Sequence, residues 1–332
     1  MYWVECVTWP GLGPALWDEL TAKKVRFQRS GENARALIAD PWALAEQLRC
    51  AQNVYIVHRY AVPRPKALLG QQIWDELMDT ARAVVARGVF ATITLDAAGA
   101  ESTVMQRVLT TMAQTLGLRV VSDEADLHVR VRSSEGAWDV MFRVSPRPLG
   151  TRVWRVCNYP GAVNGVVAAA MVRFGGAETT DRVLNIGCGS GTIAIERLLQ
   201  TSATQVTGCD TEAAARACAT ENVAAAGFSQ NIQINDWDAT QLPLGDECID
   251  VVYADLPFGQ RIGTHTENLR LYPALLREAA RVLARGGRMV LLSHEIRLLR
   301  SAVADIPALQ VQDELQVTVG GMAPLMMYLE KT

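Results

Sequence analysis

The chain has 332 residues, 49% of them hydrophobic, which is enough for a sizeable core and for two or three domains. Its formal net charge of −3 excludes the footprint of a strongly basic nucleic-acid binder, so any RNA contact must come from a local patch. No run of about 18 apolar residues is present to span a membrane, and the opening MYWVECVTWPGLG has no basic n-region, so a cytoplasmic chain is expected.

Seven cysteines without a C-x-x-C pair argue against both a zinc site and a disulfide framework. Cys6, Cys50, Cys157, Cys188, Cys209, Cys218 and Cys248 read as small buried residues in a reducing compartment. The four histidines show no ligand spacing, so no metal is expected.

Residues 1–62 alternate as β-α-β-β-α-β, the order of a small ferredoxin-like unit. Trp3, Trp9 and Trp17 there read as core. PRPKALLG (63–70) reads as a linker, with two prolines and two basic residues. Residues 71–150 predict an amphipathic helix ending at Gly88, a strand, and a long helix into Gly117. Two strands joined at Glu135-Gly136 follow.

Arg143, Arg147, Arg152 and Arg155 then form the densest basic segment, with Trp154 and Tyr159 nearby and no acid between. Spaced arginines can contact phosphates and aromatics can stack on an unpaired base. A solvated linker over 151–160 with snorkelling arginines fits equally. PGAVNGVVAAAMVRFGG (160–176) predicts a small-residue helix, with Asn164 placed to cap its start.

From 181 onward strand and helix alternate repeatedly, which predicts a mainly parallel sheet covered on both faces, with an antiparallel pair at its edge. VLNIGCGSGTIAIE (183–196) reads as strand, tight glycine turn, helix. The N–H groups at such a helix start point at a polar or anionic ligand. Asp210 ends the next strand, 19 residues after Gly191, where an acid suits a ribose diol; a helix N-cap is compatible with that role. VVYADLPFG (251–259) carries Asp255 at the end of another apolar strand, at the edge where open α/β sheets bind ligands.

Together the C-G-S-G-T loop and D-L-P-F-G resemble class I S-adenosylmethionine methyltransferases that act on base amino groups. The D-L-P-F-G-Q-R form is similar to the THUMP-domain tRNA guanine-N2 methyltransferases. The resemblance implies an α/β fold. Its C-terminal part would be a Rossmann-like, seven-stranded, doubly wound sheet with an antiparallel edge hairpin over 151–332. Before it would come a ferredoxin-like unit (1–62) and a THUMP-like RNA-binding unit (63–150), for which an ordinary α+β substrate or oligomerisation domain is the alternative.

The implied reaction moves a methyl group from S-adenosyl-L-methionine to the exocyclic amine of a guanine in tRNA, leaving S-adenosyl-L-homocysteine. The expected partner is tRNA, with no membrane and a monomeric chain. Cofactor contacts are expected at Asn164, Asn185, Gly187, Cys188, Gly189, Ser190, Gly191, Thr192, Asp210 and Asp255, and at Asp238 and Ala239 for adenine, with Asp236 competing. Asp255, Leu256, Pro257 and Phe258 would carry the reaction. The amine's hydrogens would lie between the Asp255 carboxylate and the carbonyl of Pro257 or Leu256, with Phe258 stacked on a flipped base. Arg147, Arg152, Arg155 and Arg261 are the RNA-contact candidates. The family's first motif usually carries an acid where this chain has Asn185, which cannot pair with the methionine ammonium. That departure motivates a competing expectation, a non-catalytic RNA-binding protein with a residual cofactor site. An amino methyltransferase acting on rRNA or DNA is a third.

Overall fold

The computed structural model describes residues 1–134, 136–258 and 264–332. Residues 1–8 and 16–150 form one compact body; residues 9–15 and 151–332 form a second.

The first body opens with β1 (Tyr2–Val7), α1 (Gly13–Ala22), β2 (Phe27–Ser30), β3 (Asn33–Ile38), α2 (Pro41–Gln47) and β4 (Asn53–Tyr60). It continues with α3 (Gln71–Val85), β5 (Thr92–Ala97), α4 (Thr103–Leu116), β6 (Arg119–Val120), β7 (Leu127–Ser134) and β8 (Ala137–Arg143). β4 pairs antiparallel with β8, Tyr55 opposite Arg143, so the halves expected as separate domains share one sheet in the order β2-β3-β1-β4-β8-β7-β5-β6. Within the expected linker, Pro65–Leu69 form a short 3-10 turn. Of the turn expected at Glu135-Gly136, Glu135 lies outside the described residues. Strand alternation turns Trp3 outward, 52% exposed, so it is not core. Glu5 and Asp139 are fully buried and are met by Arg35 at 2.7 and 2.6 Å, with Arg132 at 2.5 Å from Glu5. Buried charge of this kind persists only when paired.

The second body contains α5 (Gly165–Phe174), β9 (Arg182–Ile186), α6 (Thr192–Gln200), β10 (Gln205–Cys209), α7 (Ala213–Ala225) and β11 (Ile232–Asn235). β12 (Ile249–Asp255), α8 (His265–Val282), β13 (Leu283–Ser293), α9 (Ile296–Ala304), β14 (Leu309–Gln316) and β15 (Leu325–Lys331) complete it. The sheet order is β11-β10-β9-β12-β13-β15-β14, parallel except for β15, which runs antiparallel to both neighbours. This is the Rossmann-like class I topology with its edge hairpin. The order reverses between β9 and β12, which opens a crevice at the carboxyl edge.

Local sequence explains the arrangement. Val251, Val252, Tyr253 and Ala254 are all fully buried, as a central parallel strand covered on both faces requires. Ala168, Ala169 and Ala170 are at most 1% exposed, and such small residues let α5 lie close against its neighbours. Thr264 and Glu267 form a reciprocal capping box that fixes where α8 starts. At the amino edge Asp181 receives Arg197 at 2.8 Å and Arg288 beside it, anchoring the start of β9. Among the described residues no helix is long and apolar enough to cross a membrane.

One expectation about the cysteines is corrected. Cys157 and Cys218 form a disulfide across 61 residues of sequence, joining the segment before α5 to α7. Loop closure on that scale predicts that reduction lowers unfolding stability by roughly 2–4 kcal/mol. Urea denaturation with and without dithiothreitol measures it, and the Cys157→Ser, Cys218→Ser double variant should be indifferent to the reductant.

Candidate active site

The glycine turn after β9 is built from backbone geometry that β-carbons oppose. Gly187, Gly189 and Gly191 all have left-handed φ, at 57°, 52° and 76°. A β-carbon on Gly191 would also stand 3.3 Å from the Ala219 β-carbon, so only glycine lets α7 approach this closely. The turn is tied to β10, with the Cys188 N–H donating to the Cys209 carbonyl at 2.8 Å. Asp210 continues the tie, accepting the Gly189 N–H at 2.9 Å and the Glu212 N–H at 3.0 Å. Each Asp210 oxygen thus keeps a lone pair for a further donor.

Two cavities open along this edge. One, about 440 Å³, is lined by Ile186–Ser190, Ile193, Asp210, Trp237–Thr240, Leu271 and Leu275. The other, about 450 Å³, is lined by Leu256, Phe258, Leu292, His294 and the Val319–Met322 turn. They share Asp255, Pro257 and the strap Tyr159–Val163. A group passed from one to the other moves beside Asp255.

Asp255 is half-buried at the end of β12. Its Oδ1 is closed to solvent and has no hydrogen-bond partner among the described residues. Burial pushes its carboxyl up to about 8, so it is neutral until donors or alkaline pH arrive. Asp238 is the opposite case. The Thr240 hydroxyl and N–H donate to its Oδ1 at 2.7 and 2.8 Å and hold its carboxyl below the usual range.

The family described as RMKL-like methyltransferase domain matches residues 152–324. The chain belongs to this family. A tRNA (guanine(6)-N2)-methyltransferase of Thermus thermophilus is 28% identical over 348 residues, covering 99% of each chain. The crystal structure of TrmN from Thermus thermophilus superposes with a TM-score of 0.78 at 25% identity, covering both chains fully. The Bos taurus tRNA (guanine(6)-N(2))-methyltransferase THUMP3 is 29% identical over 188 residues, 52% of this chain and 37% of that one. The chain therefore spans little more than a third of the length of that mammalian relative.

Within the RMKL-like methyltransferase domain, most expected residues reach the cavities. Gly187, Cys188, Gly189, Ser190, Asp210, Asp238 and Ala239 line the first. Asn164, Leu256 and Phe258 line the second, and Asp255 and Pro257 line both. Asn164 is also the α5 N-cap, accepting the Val166 N–H at 2.9 Å. Asp236 does not line this cavity and is bound by Arg216 at 2.9 Å, whereas Asp238 does line it. The Phe258 ring stands edge-to-face with His294, centroids 4.2 Å apart.

Several expectations are corrected. Asn185 is fully buried one residue behind the cavity wall, its amide 3.3 Å from the Tyr253 carbonyl, because β9 has covered faces on both sides. Thr192 is 1% exposed and is held by Ser190 and Arg155 at 2.8 and 2.6 Å rather than facing a cavity. Gly191 packs on Ala219 instead. Arg152 faces inward, 4% exposed, and binds the fully buried Glu196 at 2.7 Å. Arg155 donates to the Val163 carbonyl at 2.7 Å and braces the strap. Trp154 is also buried. Of the basic candidates, Arg147 is exposed and Arg261 lies outside the described residues.

Sequence reading missed Trp237, His294 and the strap itself. The Asn222 side chain accepts the Cys157 N–H at 2.9 Å and donates to the Cys157 and Ser190 carbonyls, both at 3.0 Å, knitting strap to glycine turn.

Two stability predictions follow from these burials. Arg152→Leu should cost about 3–5 kcal/mol, since it strands Glu196 without its cation. Chemical denaturation reads this, and a folded variant of normal stability with weakened RNA affinity would refute it. Asp255 carries a pH signature. Its carboxyl rises from an ordinary 3.8 to about 8 on folding, so its stabilising protonation is complete below about 4 and is lost as pH climbs through 8. Asp255→Asn should therefore raise the melting temperature at pH 9 and leave it nearly unchanged at pH 4, as calorimetry can show.

Proposed function

We propose that this chain is a tRNA guanosine N2-methyltransferase that uses S-adenosyl-L-methionine. The single observation that carries the reading is the meeting of a cofactor-shaped cavity and a base-sized cavity at one desolvated carboxyl, Asp255. The first cavity's donor set fits the cofactor. The free lone pairs of Asp210 suit two ribose hydroxyls, Asp238 and the Ala239 N–H suit adenine's amine and ring nitrogen, and Ile193, Trp237, Leu271 and Leu275 supply apolar walls. When bound, the cofactor supplies an electrophilic methyl group on a sulfonium centre.

The chain's own residues then make a poor nucleophile competent. A guanine amine shares its lone pair with the ring and is flat. An Asp255 carboxylate accepting one N–H, with a backbone carbonyl accepting the other, favours a tetrahedral nitrogen whose lone pair is aimed at the methyl group. Pro257's carbonyl already accepts two donors, from Asn268 and Tyr272, so the second acceptor is the Leu256 carbonyl. Phe258 and His294 give the base a face to stack on, which a base taken out of its helix requires. As the N–C bond forms the nitrogen becomes cationic, and Asp255 is placed to take its proton.

The Thermus relative named for tRNA guanine N2 methylation, similar along 99% of both chains, supports tRNA as the substrate. In this reading residues 63–150 act as a THUMP-like RNA-binding unit, with exposed Arg147 among its phosphate contacts, and the enzyme works as a monomer in the cytoplasm. The competing non-catalytic reading drew on Asn185, which is fully buried in β9 while its neighbours Ile186 and Gly187 line the cavity. No observation favours rRNA or DNA.

Incubation with unmodified tRNA and labelled cofactor, followed by nucleoside mass spectrometry, should yield N2-methylguanosine; its absence from an active-cofactor-binding preparation sinks the proposal. Asp255→Ala should abolish transfer while calorimetry shows cofactor affinity retained. Because the carboxylate form is needed, kcat/KM should rise with pH and level off above about 8. The amine's hydrogen bonds favour the ionised form once substrate is bound, so kcat should level off at lower pH.

A further inference from the structure

Pro257's carbonyl oxygen is gripped from α8. Asn268 Nδ2 and Tyr272 Oη each donate to it at 2.8 Å. The two residues are four apart on the helix and so share a face, and both are fully buried. The proton order behind them is fixed. The Glu295 N–H donates to Ser293 Oγ at 2.9 Å, and Ser293 donates to Tyr272 Oη at 2.8 Å, because tyrosine's one proton is already on the carbonyl. Burial raises the Tyr272 hydroxyl above its ordinary range, so the proton stays in place.

The grip acts on the dihedral that Pro257's own ring leaves open. Proline's ring fixes φ at Pro257, and holding its carbonyl fixes ψ. On the other side the Leu256 N–H donates to the Leu292 carbonyl at 2.9 Å. The Leu256 carbonyl lies between these two anchors, on a peptide whose proline nitrogen has no hydrogen to donate. Two buried polar side chains committed to one loop oxygen are costly unless that oxygen's position matters.

We propose that Asn268 and Tyr272 are positioning residues for methyl transfer. By locking the Pro257 carbonyl they hold the Leu256 carbonyl and the Asp255 carboxylate at the spacing of the two amine hydrogens. This rests on the reading of the site given above. The lock acts on the geometry of attack, so its loss falls on kcat.

The test uses the full chain with Tyr272→Phe, Asn268→Leu and both together. Each single change should lower kcat about tenfold and the pair about a hundredfold, the scale of an ångström of misplacement. Cofactor affinity by calorimetry and KM for tRNA should stay within about threefold, with melting curves confirming the fold; if Asn268→Leu does not fold, Tyr272→Phe alone decides. A readout free of activity accompanies it. Pro-Phe occurs once in the sequence, so carbonyl-13C proline with 15N phenylalanine isolates the Pro257 carbonyl resonance, which should move in each variant. An unmoved resonance, or a folded double variant with kcat within twofold of an active wild type, overturns the proposal. A wild-type chain that methylates no tRNA while the resonance moves refutes the methyltransferase reading and, with it, the catalytic part of this one.

Discussion

The partnerless oxygen of Asp255 is what the rest of the site is arranged around. β12 is buried on both faces, and the acid at its end keeps one oxygen closed to solvent while it borders two cavities. Asp210 and Asp238 lie along the same edge, and both receive backbone N–H groups. Asp255 receives none among the described residues at Oδ1. An acceptor left without donors in a low-dielectric site is held ready for donors that only a ligand brings. The three acids thus differ by their bonding partners, and in the proposed reading that difference divides binding from chemistry.

The strap Tyr159–Val163 has to be held as firmly as the acid, since it walls both cavities. Arg155 ties it to the start of α6, Asn222 ties its approach to the glycine turn, and the Cys157–Cys218 disulfide ties the same segment to α7. Arg152 sits deeper, on Glu196 and the Gly165 carbonyl. In a stretch that reads as a basic connector, Arg143, Arg152 and Arg155 are therefore turned to protein partners. Linear charge density records how many guanidiniums a segment has and not which way they turn. Arginine's five donors suit it to satisfying buried carbonyls as well as phosphates.

Those cases mark where the sequence is legible. The glycine turn, Asp210, Asp238 and the Asp255–Phe258 loop were readable because each depends on strand-end geometry a few residues long. The alternation from 181 onward carried the sheet, down to its antiparallel edge. Asn185 was placed at the cofactor by its position in the family's motif alone, and that position says nothing of which way a side chain turns in β9, where Asn185 is fully buried. Trp237, His294, Asn268 and Tyr272 left no local trace of their role. Helical spacing puts Asn268 and Tyr272 on one face, but that the face meets Pro257 follows from α8 packing over the end of β12. The two units expected in residues 1–150 each have their own strand order, and what joins their strands into one sheet is the long-range β4–β8 pairing.

Sheet order also explains why a transfer reaction suits this edge. The first cavity stands over the ends of β9 and β10, the second over β12, β13 and the turn between β14 and β15. The reversal between β9 and β12 sends the covering helices and loops of the two halves apart and leaves a gap above adjacent strands. Neighbouring strands are about 4.8 Å apart, so cavities over the two halves can share a wall, as these share Asp255 and Pro257. What remains is orientation, and the fold supplies that through rigid pieces: glycines that shape one loop, a proline whose two dihedrals are fixed in the other, and a carboxyl between them kept unsolvated until it is used.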